Sequence, residues 1–370
     1  MKKAIFYTII LFFSSQSFHW ANSQTPEVID DIVNGRYQGL IKVTSIDSEN
    51  NSISLSESLN IKTILYNNLT SVSGDGQVIV NKDRIIHKNG EIIINDIPSE
   101  IKLNQNNQTL NYDGTRVVFT DANEGGCYIY VHNTVDNSSA KVRISDFKIY
   151  TVSGLSINRD ASIIAVIYTD GLYVVDLNND TINKYREGYG YHIVPFVNFS
   201  GSRILFNTGG EIFYMDKENG EWQPIKNIEL GNAIVGGYDV NSYIYDIAND
   251  GKTIVAPIGN KGVAVVNEID GVWGEPDYIG YIPDTQDKVQ ISENGKVVAV
   301  QAYKYTSVYN FFYYDAYIFI KNVDNQWIKH QVNAHDQDVN PDIHLTKDGT
   351  QLIWTAADFG SSIPSAGLHR

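Results

Sequence analysis

Short apolar runs, rich in β-branched side chains, alternate with polar turns along this chain, and one punctuation mark precedes seven of them. The mark is Asp-Gly or a near equivalent. It reads Ser73-Gly74-Asp75-Gly76 before Val78-Ile79-Val80, Asp113-Gly114 before Val117-Val118-Phe119, Asp160-Ala161 before Ile163-Ile164-Ala165-Val166, and Ser200-Gly201 before Ile204-Leu205-Phe206. Three more follow, Asp250-Gly251 before Ile254-Val255, Asn294-Gly295 before Val297-Val298-Ala299-Val300, and Asp348-Gly349 before Leu352-Ile353-Trp354. Successive copies lie between 38 and 54 residues apart, the period of a propeller blade.

Each unit predicts the same internal order. A buried strand leaves the anchor turn, a second apolar strand follows, and a polar hairpin turn leads to a last strand. The second strands are Cys127 to Val131, Leu172 to Val175, Ile212 to Met215, Val263 to Val266 and Tyr317 to Ile320. Their turns, Asn178-Asn179-Asp180, Glu218-Asn219-Gly220, Ile269-Asp270-Gly271 and Asp324-Asn325, hold residues that tolerate positive φ. Trp222, Trp273 and Trp327 follow three of them. No 3.6-residue apolar period persists, so helices should be scarce.

The two ends of the chain complete one another. The seventh anchor has strands at 342–345 and 351–354, but too little chain follows to finish a blade. An unassigned hairpin precedes the first anchor, with Leu40 to Ile46, a turn at Asp47 to Asn51, and Ser52 to Leu55. The sequence therefore predicts an all-β, seven-bladed β-propeller closed by an N-terminal hairpin that completes the last blade. That hairpin removes the free sheet edges of an open ring. Residues 24–58 are the clasp, 59–355 the repeats and 356–370 a tail.

The first residues have another purpose. Lys2 and Lys3 precede an apolar run from Ala4 to Phe13, and Ala21-Asn22-Ser23 has the small-x-small form of a cleavage site. Residues 1–23 are read as a bacterial signal peptide cleaved near Ser23, which predicts a secreted or periplasmic protein. The apolar run is too short to span a bilayer. The whole chain carries 28 basic and 43 acidic residues, a formal charge of -15, and losing two leader lysines makes it more negative. Nucleic acid is excluded as a partner, because its phosphates would be repelled. With Cys127 as the only thiol, no intramolecular disulfide can form.

The anchors resemble the WD40-like repeats of TolB-type propellers, in which a Ser/Asn-x-Asp-Gly turn precedes an apolar strand. They are also similar to FG-GAP repeats of bacterial surface proteins, best in Ile291-Ser292-Glu293-Asn294-Gly295-Lys296-Val297-Val298. The resemblance spans residues 70–355 and implies a fold rather than an activity.

Candidate chemistry lies in the longer loops opposite the anchors. Residues 303–314 hold seven aromatic rings in twelve positions, among them Tyr303, Tyr305, Tyr309 and Phe312, and Tyr189, Tyr191 and Tyr238 stand in other loops of that side. Exposed rings with polar tips suit sugars and protein surfaces, so these are the candidate ligand-binding residues. The alternative is that residues 303–314 merely lengthen the strands of their own blade. Asp336, Asp338, Asn340 and Asp342 alternate as oxygen donors would around Ca2+, but the glycine and the final Glu of an EF-hand loop are missing. A polar turn accounts for them too. No other cofactor is expected and no catalytic residues are assigned. No Gly-x-Ser-x-Gly or His-Glu-x-x-His motif occurs. The sequence favours a binding or scaffold module for a protein or glycan partner. The alternative is a metal-dependent polysaccharide lyase or hydrolase, for which His192, His335 and His344 are the available imidazoles.

Overall fold

Strands with apolar residues on both faces need cover on both sides, and a ring of radially packed sheets supplies it. Ile163–Tyr168 and Gly171–Asp176 are buried at every position. The computed structural model describes residues 39–61, 70–81, 84–87, 92–94, 108–123, 126–145, 152–168, 170–187, 195–208, 211–228, 245–257, 262–282, 285–306, 311–332 and 341–357. Among them there is no helix, and therefore none long and apolar enough to cross a membrane.

Seven small antiparallel sheets form the ring. Blade 1 is Thr70–Val72, Val78–Asn81, Arg84–His87 and Ile92–Ile94, and blade 2 is Gln108–Leu110, Arg116–Asn123, Gly126–Asn133 and Ser139–Ser145. Blade 3 runs Val152–Ile157, Ile163–Tyr168, Gly171–Asp176 and Thr181–Glu187. In blades 4 and 5 the outer strand comes in two pieces. The inner three are Pro195–Val197, Arg203–Thr208 and Glu211–Glu218 in the former, and Asp246–Ile247, Thr253–Pro257 and Val263–Ile269 in the latter. Blade 6 is Thr285–Ile291, Val297–Thr306, Phe311–Lys321 and Trp327–Val332.

Blade 7 is built from both ends of the chain. Pro341–Leu345 and Gln351–Ala357 are its inner strands, and Gly39–Asp47 and Ser52–Ile61 complete it in the order the sequence predicts. Gly39–Asp47 pairs with Gln351–Ala357 from Gly39 opposite Ala357 to Ser45 opposite Gln351. The hairpin's second strand runs to Ile61, past the expected limit at 58. There the polar run Ser56-Glu57-Ser58 interrupts the apolar alternation before Leu59 and Ile61.

Hydrophobic packing is divided into seven clusters, one per junction between blades. The clasp joins two of them. Val43 packs with Ile353, Ile79 and Ile86 between blades 7 and 1, whereas Ile46 packs with Leu352, Val297 and Ile318 between blades 6 and 7. Cys127 is fully buried in the cluster between blades 2 and 3, as a small hydrophobe.

The anchor turns fasten each inner strand to the next. In each, the fourth residue donates its amide to the carbonyl of the first, as Gly76 does to Ser73 and Gly349 to Thr346. The first residue's side-chain oxygen, where it has one, accepts from the amide five residues on, as Asn111 does from Arg116 and Ser292 from Val297. In six of the seven the third residue's oxygen caps the fifth amide, as Asp113 does for Thr115, and in blade 4 the Ser202 amide donates to Asn198 Oδ1 instead. A left-handed backbone is required at the fourth position, where Gly114 has φ 70 and Ala161 φ 56. A Cβ on Gly114 would also lie 2.5 Å from Val78 of the preceding blade. The hairpin turns use positive φ at Asp180, Asn219, Asp270 and Asn325, as their composition predicts.

Candidate functional site

The two ends of the ring differ. Anchor turns and outer hairpin turns lie at one end, and the loops joining second to third strands lie at the other. On that second, loop-bearing face blade 6 stands out. Its second strand has ten residues against six in blades 3 and 4, and its third has eleven. Four extra residues extend it by about 14 Å at the strand rise of roughly 3.4 Å per residue. The extension is a continuous ladder, with Tyr303 opposite Tyr314, Lys304 opposite Tyr313, Tyr305 opposite Phe312 and Thr306 opposite Phe311. Residues 303–306 and 311–314 are therefore paired strand ends that lengthen their own blade. By register, residues 303, 305, 312 and 314 share one face of the extension.

Of the other candidates, Tyr189, Tyr191, Tyr238, Tyr309, Asp336, Asp338 and Asn340 lie outside the described residues, with His192 and His335. Asp342 sits on the innermost strand of blade 7, opposite Thr355. His344, two residues on, is buried on the same strand. Among the described residues no three His, Cys, Asp or Glu side chains come together as a metal site.

The anchor end carries a second arrangement. The second residues of the seven anchors are Gly74, Tyr112, Arg159, Phe199, Asn249, Glu293 and Lys347. At these positions the backbones of successive blades are tied in a ring around the axis. Lys347 donates to Gly74 (2.7 Å), Asp75 to Tyr112 (2.9 Å), Tyr112 to Arg159 (3.1 Å), Arg159 to Phe199 (3.1 Å), Asn249 to Glu293 (3.1 Å) and Glu293 to Lys347 (2.6 Å). Between blades 4 and 5 the tie is a side chain, with Arg203 Nη1 donating to the carbonyl of Gly251.

Side chains of this ring converge on the axis. The rings of Tyr112 and Phe199, from blades 2 and 4, meet edge to face with centroids 5.3 Å apart. The Arg159 guanidinium of the blade between them lies 5.2 Å from one ring centre and 4.7 Å from the other. Burial raises the Tyr112 hydroxyl above its ordinary pKa, and the charges of Glu293, Asp348 and Asp75 add to the effect. Glu293 is half-buried, and burial holds its carboxyl above the usual range despite Lys347 and Arg159. Deeper in, Asp246 accepts from the amides of Ile291 (2.9 Å) and Ile247 (2.8 Å), and Lys347 Nζ stands 3.7 Å from it. Ser156 and Gln290 accept in the same way from Val197 and Leu345, so side chains from one blade cap the inner edge of the next. Had the anchors been aligned and their second position read as a column, Tyr112, Arg159, Phe199, Glu293 and Lys347 would have been visible as its chemistry-bearing members.

Fold and closure define the chain as a seven-bladed β-propeller. No protein-family model matches it, and no curated protein matches its sequence. In structure it is similar to hydrazine synthase of Kuenenia stuttgartiensis, with TM-score 0.47 and 15% identity over 66% of this chain and 71% of that one. It is also similar to TolB from Acinetobacter baumannii, with TM-score 0.43 and 13% identity over 90% of this chain and 68% of that one. A TolB-type structure from Agrobacterium tumefaciens is similar at TM-score 0.43 and 12% identity, covering 87% and 98%.

Proposed function

We propose that the protein is an exported binding or scaffold module, which engages a protein or glycan partner through its loop-bearing face with the blade 6 hairpin as contact arm. The leader-like residues 1–23 support export. One observation carries the recognition role: the densest aromatic segment of the chain is held in a ladder that outruns the strands of blades 3 and 4. A blade needs no such extension to pack against its neighbours. An arm already fixed in a ladder loses little conformational freedom on binding, which favours affinity. Aromatic residues are the side chains in which interfaces concentrate their energy.

The test separates the two faces of the arm. A Tyr303→Ser, Tyr305→Ser, Phe312→Ser variant alters one face by register, and a Phe311→Ser, Tyr313→Ser variant alters the other. Both are compared with the parent on a glycan array and in pull-downs from the cell exterior or periplasm. The reading expects at least one of them to keep a parental melt while losing a captured ligand. Unchanged capture of every ligand by both variants would refute it, and loss of the cooperative melt in both would make these residues core.

A further inference from the structure

We propose that the anchor-side mouth of the central channel recognises a cationic side chain of a protein partner, a guanidinium or primary amine, and that Arg159 occupies this site in the free protein as a built-in stand-in. The site lies at the opposite end of the ring from the blade 6 arm and does not depend on it.

Three observations meet here. First, Tyr112 and Phe199 reach past the intervening blade to touch edge to face, and Arg159 rests over both. Arg159 is exposed and has water as an alternative, yet its guanidinium lies within reach of two ring faces, an arrangement whose attraction is electrostatic and specific for a cation. Second, Glu293 brings a carboxylate from blade 6 whose Oε1 is buried and has no hydrogen-bond partner. An N–H donor entering the mouth would satisfy it. Third, the surrounding groups favour a positive visitor. The carboxylates of Asp75 and Asp348 act on Tyr112 alongside Glu293, while Lys347, which also acts on Glu293, has its amine 3.7 Å from Asp246.

Exchange of Arg159 for a visitor is mechanically simple. Its contributions to the blade-to-blade ring are backbone bonds: its amide donates to the Phe199 carbonyl, and its carbonyl accepts from the Tyr112 amide. The side chain can therefore swing out without opening the ring. A partner's guanidinium would take over the two rings and add the bond to Glu293 that Arg159 does not make. The free protein's apparent affinity is lowered by the fraction of time that Arg159 fills the site.

The experiment uses the mature full-length protein and an acetylated, amidated tetra-arginine peptide, with tetra-glutamate as control, in calorimetric titration at 150 mM salt. Arg159→Gln should bind tetra-arginine roughly fivefold more tightly than the parent, the scale of one cation–ring contact freed. Adding Tyr112→Leu and Phe199→Leu, which keep apolar volume and remove the ring faces, should abolish that gain. Glu293→Gln should weaken binding in the parent. Thermal melts verify that each variant is folded, and if the double leucine variant is not, Phe199→Leu alone serves. The proposal is overturned if Arg159→Gln binds no more tightly than the parent. It is equally overturned if the gain survives loss of the rings, which would mean long-range attraction alone, or if tetra-glutamate binds as well.

Discussion

Arg203→Met tests how blades are tied to one another. Arg203 begins the second strand of blade 4, and its guanidinium reaches Asp216 in its own blade and Glu268 and the Gly251 carbonyl in blade 5. It also lies over Tyr214 and Trp273, 4.7 and 6.0 Å from their ring centres. Only 11% of its side chain is exposed, and Glu268 is exposed by 5%. Burial by itself would lower the Arg203 pKa, but Asp216 and Glu268 outweigh it and hold the guanidinium charged. Methionine preserves much of the stem and removes the charge, leaving Glu268 buried without its cation. Removing one partner of a buried pair costs about 3–5 kcal/mol. For a chain of this size that is on the order of 6–10 °C in melting temperature, at roughly 2 °C per kcal/mol. The companion Arg203→Met, Glu268→Met should recover part of the loss, because no uncompensated carboxylate then remains in the junction. Urea titration and thermal melts at neutral pH measure both variants. A loss below about 1 kcal/mol in the single variant, the range of exposed pairs, would show that this network does not hold blades 4 and 5 together.

Gly114→Ala combines a left-handed backbone with a clash against Val78 and should destabilise by about 2–5 kcal/mol. Ala161→Gly, at the equivalent turn of blade 3, relieves strain but loses a buried methyl and should change stability by less than about 1 kcal/mol; equal effects on urea midpoints would contradict the shared turn geometry. Stability should fall with acidification in two steps. Burial lowers the His132 pKa, so the unfolded chain binds that proton first and stability is lost as pH drops below 6.5. At Asp113, Asp160 and Asp176, burial pushes the carboxyl up but hydrogen bonds from Thr115, Ser162 and Lys217 outweigh it. Their folded values are depressed, and their stabilisation is lost as pH falls from 3.8 through those values. Glu293 acts oppositely, its raised value favouring the folded state below 4.5, but it is one group against four. Melts that are flat or rise from pH 7 to pH 3 would refute this balance. If Asp336, Asp338, Asn340 and Asp342 bind Ca2+, millimolar Ca2+ should raise the melting temperature over chelator; identical melts remove the site.

The ring was legible because its repeat is local and physical. Each anchor needs a positive-φ residue, a side-chain oxygen before it and a buried strand after it, and all three leave marks in composition. Closure was legible by subtraction, since the seventh anchor lacked partners and Leu40 to Leu55 lacked a blade. Outer strands were not. Ser139–Ser145 alternates Ala140, Val142 and Ile144 with polar residues on a largely exposed strand, and Ser56-Glu57-Ser58 interrupts the apolar alternation before Leu59 and Ile61, so the pattern in each is weak. The segment from Tyr303 to Tyr314 stood between a recognition loop and an extension of its own blade, because aromatic composition alone does not separate a loop from an extended ladder. The axial cluster was missed for a different reason. Tyr112, Arg159, Phe199 and Glu293 are far apart in sequence and unremarkable singly, and only the circular closure brings them together.

Closure by the N-terminal hairpin is the claim on which both proposed surfaces rest, and native-state hydrogen exchange tests it without altering the chain. Gly39–Asp47 forms a ladder with Gln351–Ala357, and its Val43 and Ile46 belong to the cores on either side of blade 7. The two strands should therefore open together, with amides of residues 40–46 protected to within about tenfold of those of residues 351–357. Exchange of residues 40–46 at the rate of an unstructured peptide, while residues 351–357 stay protected, would contradict the closed ring.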